Sequence, residues 1–301
     1  MKMEIRLPDS IRCFSDTEIA LTNGICGDVS VTAAERNGNL TVSLRAETTP
    51  VRYLRLRWNF TDTERYPAGV RILGDAWERG YGDMAWDTIR PEKCMPWYFF
   101  ASSQEARITV CFGVMVRPAA MAFWQTDSAG VTLWLDVRCG GGGVLLGGRT
   151  LAVCTVLFRS YEGISAFQAA ENFCAAMCPD PILPEEPVYG SNNWYYAYGN
   201  SSHEEIIEDT KLVAAYTEGL ENRPFMVIDD GWQTYPCDGP WDAGNAKFPD
   251  MRQLAEEIHA MDVKPGIWVR YLSDGRNMFC PRNSEMRLAR DAAYLDPSHP
   301  S

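Results

Sequence analysis

The chain has 301 residues, with 28 Lys and Arg against 40 Asp and Glu, a formal net charge of −12. An apolar share of 46% and a charged share of 23% exclude intrinsic disorder. The acidic balance excludes nucleic acid and anionic membrane as main partners, and apolar runs such as Leu151–Phe158 fall far short of the ~20 residues that span a bilayer.

The first six residues, Met1-Lys2-Met3-Glu4-Ile5-Arg6, carry charges instead of the apolar stretch of a signal peptide, so a cytoplasmic location is expected. In that compartment ten cysteines without a C-x-x-C pair read as reduced thiols. Cys174 and Cys178 lie four apart on an expected helix, but no His lies near them. They read as small apolar residues; no metal site and no cofactor is expected.

Up to residue 180 the hydrophobic period is two. Val29–Glu35 and Leu40–Glu47 flank Arg36-Asn37-Gly38-Asn39, a hairpin turn in which Asn-Gly supplies the positive φ. Leu54, Leu56, Trp58 and Phe60 alternate with Arg55, Arg57 and Asn59, a strand with one wet face. Further strands are predicted at Arg107–Val116, Ala120–Thr126, Val131–Arg138 and Leu151–Phe158. Together they imply an antiparallel β-sandwich. A glycine run at Gly140–Gly143 and Gly147-Gly148 reads as a hairpin loop, because no Gly-Lys-Ser/Thr and no helix follow it. Ile164–Met177 then carries an apolar stripe at helical spacing.

Four prolines in Pro179–Pro187 make a semi-rigid connector. Beyond it charge and pattern change: residues 181–301 hold 20 acidic and ten basic side chains. Pro187–Tyr198 begins as a strand. Ser202 with Glu205 forms a capping box for a helix that Gly219 closes, and Pro224–Asp230 is a buried-type strand. Asp250 with Gln253 caps a helix over Met251–Met261, and Lys264–Leu272 is a third strand. Alternating strands and helices imply parallel pairing. The predicted organisation is therefore a sandwich with a trailing helix over 1–178, a linker over 179–187, and over 188–301 the first part, about three βα units, of a (β/α)8 TIM barrel.

Barrel chemistry sits at the C-terminal ends of strands. Those ends read Asn192-Asn193-Trp194-Tyr195-Tyr196, then Asp229-Asp230-Gly231-Trp232-Gln233, then Trp268-Val269-Arg270-Tyr271. Each sets an aromatic platform beside hydrogen-bonding groups, which suits a sugar with its apolar C–H face and hydroxyl rim. Asp229 and Asp230 cannot straddle a sugar ring as a catalytic couple, because neighbouring Cα atoms are only about 3.8 Å apart and their side chains diverge. A clamp on adjacent hydroxyls suits them better, and it rejects epimers by leaving an acceptor unpaired. His203, His259 and His299 are scattered and support neither a triad nor a zinc site.

These strand-end blocks, with Lys247-Phe248-Pro249-Asp250-Met251 and Lys264-Pro265-Gly266-Ile267-Trp268, resemble the α-galactosidases (melibiases) of glycoside hydrolase family 36 and relatives. Gly190-Ser191-Asn192-Asn193-Trp194-Tyr195 is similar to the family's first barrel strand. Trp77-Glu78-Arg79-Gly80-Tyr81-Gly82-Asp83 and Met95-Pro96-Trp97-Tyr98 resemble the amino-terminal sandwich of some members. The resemblance implies a substrate subsite in which Asp229 and Asp230 hold the hydroxyls of a terminal galactose, with Trp194, Trp232 and Trp268 at the same site. Arg270 departs from the acidic or small residues often found there. The loop from Trp77 to Trp86, with Asp83, either reaches the sugar or braces the two domains. The family is retaining, with an aspartate nucleophile after the fourth strand and an aspartate acid/base after the sixth. No catalytic residue is thus expected in this chain; both are expected beyond residue 301, and the chain is read as a truncated glycosidase. The expected partner is a galactoside or oligosaccharide, and assembly as a homo-oligomer fits the same reading. A non-catalytic or vestigial carbohydrate-binding protein and a galactosyl transglycosidase share this site plan.

Overall fold

The computed structural model describes residues 3–76, 84–138, 142–235 and 239–269. The chain divides into two compact units, with the break between Pro181 and Ile182.

The first unit begins with β1 (Ser10–Phe14), β2 (Glu18–Ile19), β3 (Ile25–Cys26), β4 (Val29–Arg36), β5 (Asn39–Arg45) and β6 (Tyr53–Asn59). It continues with β7 (Arg71–Gly74), β8 (Met95–Pro96), β9 (Tyr98–Ser103), β10 (Ile108–Val114), β11 (Met121–Asp127), β12 (Gly130–Asp136) and β13 (Thr150–Glu162). They form two antiparallel sheets, ordered β2-β1-β6-β12-β11-β8 and β3-β4-β5-β13-β10-β9-β7. The alternation read in β6 does what its period demands. Leu54, Leu56 and Trp58 are fully buried, while Arg57 on the other face pairs with Asp127 at 2.8 Å.

Aromatic rings from both sheets fill the core. Trp58 of one sheet meets Phe158 of the other edge-on at 5.1 Å, and Phe99 stacks on Phe112 at 4.5 Å. The buried indole N–H groups are satisfied: Trp58 donates to the carbonyl of Arg6 at 2.9 Å and Trp124 to that of Trp97 at 3.1 Å. The β4–β5 turn has φ +53° at Asn37 and +70° at Gly38, the mirror-image turn its sequence predicts. Six strands (β1, β2, β3, β7, β8 and β9) went unread in the sequence. Most are short, and β9 (Tyr98-Phe99-Phe100-Ala101-Ser102-Ser103) lacks alternation because both of its faces are covered.

Helix α1 (Ala166–Met177) starts at Ser165, whose Oγ accepts from the N–H of Gln168 at 3.1 Å. Its Phe173 and Met177 pack with Phe100, Cys111 and Leu157 on the outer face of the seven-stranded sheet. Gly113 lets the helix approach so closely: a Cβ there would lie 2.6 Å from Met177 Sδ and 2.8 Å from a Phe173 ring carbon.

The second unit runs β14 (Gly190–Asn192), α2 (Trp194–Ala197), α3 (His203–Tyr216), β15 (Phe225–Ile228), β16 (Gln233–Tyr235), β17 (Gly239–Gly244), α4 (Met251–Ala260) and β18 (Lys264–Ile267). The sheet β14-β15-β18 is parallel throughout, as the strand–helix alternation requires. Its core gathers Ile206, Met226, Ile228, Trp232, Phe248, Leu254, Ile258 and Val263. Four details differ from the sequence reading, one being that the third strand, expected over Lys264–Leu272, ends at Ile267, with Trp268 and Val269 outside it. The first strand stops at Asn192 because Asn192 Oδ1 takes the N–H of Trp194 at 2.7 Å and turns the chain into α2. Helix α3 ends at Tyr216 instead of reaching Gly219, where the Thr217 hydroxyl bonds back to the carbonyl of Val213 at 2.7 Å. The antiparallel pair β16–β17 has no alternating pattern in the sequence to announce it. No helix among the described residues is long and apolar enough to cross a membrane.

Candidate functional site

Parallel pairing brings the C-terminal ends of β14, β15 and β18 to one edge of the sheet. Asp229 and Asp230 leave the end of β15 there, and separate groups hold each. The N–H of Asp229 donates to Oδ1 of the buried Asn193 at 2.9 Å. Its carboxylate accepts from Asn192 Nδ2 at 2.5 Å and from the N–H of Asp230 at 2.7 Å. A carboxylate has about four acceptor positions, so these two contacts leave Asp229 able to accept from a ligand. Asp230, 8% exposed, accepts from Gln233 Nε2 at 2.5 Å. Gln233 itself is 1% exposed, and its Oε1 takes the N–H of Gly231 at 3.1 Å.

The backbone around this pair is tightly pinned. Gly231 has φ +108°, and a Cβ there would sit 2.4 Å from the carbonyl oxygen of Gly199, in the loop after α2. Asn245 then donates through Nδ2 to the carbonyls of Gly231 at 2.7 Å and Gln233 at 3.1 Å. Lys247 Nζ donates to Asn200 Oδ1, and the N–H of His203 to the carbonyl of Lys247 at 3.0 Å. The loops after β14 and β15 are thus fastened to one another and to the start of α3. Two further contacts tie the helices. His203 Nε2 meets Glu257 Oε2 at 3.0 Å, which, with Gln253, holds the Glu257 carboxyl below its usual range. Tyr196 donates to Asp209, and desolvation followed by that acidic partner pushes its phenol up.

Aromatic residues follow the same strand ends. Trp241 lies between Trp232, 6.0 Å away, and Trp268, 6.2 Å away with the rings at 69°. Trp232 Nε1 donates to the carbonyl of Trp268 at 2.9 Å. At 2% exposure Trp232 belongs to the core of the unit, so it braces Trp241 and Trp268 and offers no face of its own to a ligand. Trp194 is partly exposed and lies 5.7 Å from Tyr198, edge to face.

The structure therefore brings Asp229 together with the β14 asparagines, and Trp268 together with Trp232. Arg270, Trp77 and Asp83 lie outside the described residues. Asn192, Asn193, Gln233, Trp241 and Asn245 carry the geometry without having been singled out as site residues. The asparagines and Gln233 stand inside the strand-end blocks, so position alone gave a signal for them. Trp241 and Asn245 arrive only through β17 and the turn after it, which no periodicity announced.

No family model matches the sequence and no curated protein does. Solved structures are similar in part. The α-galactosidase TtGalA from Thermus thermophilus, in complex with p-nitrophenyl α-D-galactopyranoside, aligns with 89% of this chain and 49% of its own, at 16% identity and a TM-score of 0.48. A variant of the family 36 α-galactosidase AgaA from Geobacillus stearothermophilus, in complex with raffinose, aligns over 86% and 39%, at 15% identity and 0.49. The α-N-acetylgalactosaminidase NagBb from Bifidobacterium bifidum aligns over 94% and 56%, at 10% identity and 0.47. The chain spans about half the length of these structures. Functional assignment accordingly rests on the residues of this chain.

Proposed function

We propose that the second unit is the sugar-holding segment of an α-galactosidase-like retaining glycoside hydrolase acting on terminal α-linked galactosides, and the start of a (β/α)8 barrel. One observation carries this reading. Two adjacent carboxylates at a strand end are each fixed by a different side-chain amide, Asn192 for Asp229 and Gln233 for Asp230. Held apart in this way, they present acceptors to neighbouring hydroxyls of one ring, with Trp268, whose backbone N–H donates to the carbonyl of Ile228 just before the pair at 2.8 Å, as the platform for its C–H face. Preorganised acceptors discriminate between epimers, because a hydroxyl of the wrong configuration leaves a desolvated oxygen unpaired. Asp229 and Asp230 bind in this scheme and perform no bond cleavage. A nucleophile and an acid/base must flank the anomeric carbon about 5–5.5 Å apart in a retaining enzyme, a role that two adjacent carboxylates at one strand end do not fill.

The test is calorimetric titration of the 301-residue chain with methyl α-galactoside and its C4 epimer, methyl α-glucoside. The galactoside is expected to bind more tightly, and Asp230→Ala to weaken it at least about tenfold, or ~1.4 kcal/mol. Equal affinity for the two epimers, or unchanged binding in a folded Asp230→Ala protein, would refute the clamp.

A further inference from the structure

We propose that the first unit carries a separate binding cleft for acidic saccharides, at the end of the seven-stranded sheet that α1 leaves uncovered. On the outer face of that sheet, Leu73, Phe100 and Cys111 form a row across β7, β9 and β10 and lie under α1. Two residues along each strand the same face presents Arg71, Ser102 and Thr109, again paired in register. The change from apolar to polar falls where the helix begins, at Ser165.

Beyond that point lies a cavity of about 910 Å³, lined by Arg71, Trp86, Ser102, Glu105, Arg107 and Thr109 among others. Its parts are held in place. Arg71 Nη2 donates to the carbonyl of Trp86 at 2.7 Å, which ties the indole-bearing segment to the edge strand. Ser102 and Thr109 hydroxyls meet at 3.0 Å. Arg107, at φ +48°, closes the β9–β10 turn through its N–H to the carbonyl of Gln104, and its own carbonyl accepts from Gly163 at 3.1 Å.

These groups match one ligand chemistry. A half-exposed indole accepts the C–H face of a pyranose, while hydroxyls and guanidinium forks serve its rim. In the lining two guanidinium groups face one carboxylate, Glu105; outside it the Asp87 carboxylate interacts with Arg71 but also with Arg90, at 2.7 Å, and Lys93, so cations still outnumber anions. Arg71 and Arg107 bond main-chain carbonyls and leave N–H groups over for a ligand. That local surplus of positive charge, in a chain of net charge −12, favours a sugar carrying a carboxylate, which arginine holds with two parallel bonds. A uronic-acid saccharide fits; a neutral one leaves the surplus unmatched. The inference does not depend on the clamp in the second unit.

The experiment titrates the full chain with a trisaccharide of β-1,4-linked glucuronic acid and, as the neutral comparator, cellotriose, both of the gluco configuration that the proposed clamp of the second unit rejects. The acidic trisaccharide is expected to bind, to weaken with rising salt, and to lose at least about tenfold in affinity in Arg107→Gln and in Trp86→Ala. Both residues are exposed, so circular dichroism of the variants should match wild type, and Asp230→Ala should bind normally. Absence of binding, equal binding of the neutral sugar, or indifference to Arg107→Gln overturns the proposal. Loss of binding in Asp230→Ala also overturns it, because the ligand would then sit in the second unit.

Discussion

Asp229 and Asp230 are adjacent in sequence but are held by different parts of the fold, and that difference is testable. Replacing Gln233 by Leu keeps the volume while removing a donor from Asp230 and an acceptor from the N–H of Gly231. A lost partner to a buried polar group costs about 1–3 kcal/mol, so urea denaturation should show a loss of that size, and galactoside affinity should fall with it. Gly231→Ala should be at least as damaging, since its Cβ would collide with the Gly199 carbonyl at a φ that side chains avoid. Asp28 provides a pH-dependent case. Its carboxylate accepts from Thr49 Oγ1 at 2.6 Å, from the N–H groups of Thr48 and Thr49 at 2.6 and 2.9 Å, and from Thr48 Oγ1 at 3.1 Å. The Thr49 hydroxyl leads these bonds in pulling its pKa well below the ordinary range. A depressed carboxylate stabilises the fold in full above its unfolded pKa of about 3.9 and loses that contribution as pH falls through the folded value. Acid titration of thermal stability should therefore be shallower below pH ~4 in Asp28→Asn than in wild type.

At the level of elements, helix starts are encoded by short local signals and helix contacts are not. Ser165, Ser202 and Asp250 each cap the N–H three residues on, at 3.1, 3.4 and 2.9 Å. Asp250→Ala should cost about 1 kcal/mol, the usual value of a cap. Ser202→Ala should cost less, given its longer bond; denaturation of the two variants side by side decides it. The α1–β10 contact depends on a residue whose role no local pattern reveals. Gly113→Ala should destabilise the first unit by about 1–3 kcal/mol through overpacking, because the added methyl meets Met177 and Phe173. Trimming Met177 to Ala in the same protein should return part of that loss, since Met177 Sδ is the nearest atom. Full additivity of the two substitutions would show that the methyl does not meet Met177.

On the scale of the molecule, the break at Pro181 and Ile182 leaves both sheets and α1 on one side. Ile182 and Leu183 are 84% and 73% exposed, in a stretch without helix or strand. Brief proteolysis should therefore cut near 182–188 and release a first unit that keeps its cooperative melting transition; a fragment that unfolds once cut would refute its independence. Much of this organisation was legible in the sequence because it depends on neighbours. Period-two alternation gave β4, β5, β6, β11 and β12, and N-cap signals gave α3 and α4. The Asp229-Asp230-Gly231-Trp232 block marked the edge where the candidate site lies. What sequence could not supply were the features set by residues far apart in the chain. Covered on both faces, β9 shows no alternation to read. The hairpin β16–β17 sets Trp241 between two tryptophans, although all three are separated by stretches of unrelated pattern. Trp232 and Trp268 look alike as strand-end aromatics, but packing against Ile206, Leu254 and Ile258 buries the first and leaves the second partly exposed. Local chemistry determined which segments form; burial, a property of the assembled chain, decided which of the strand-end side chains remain accessible.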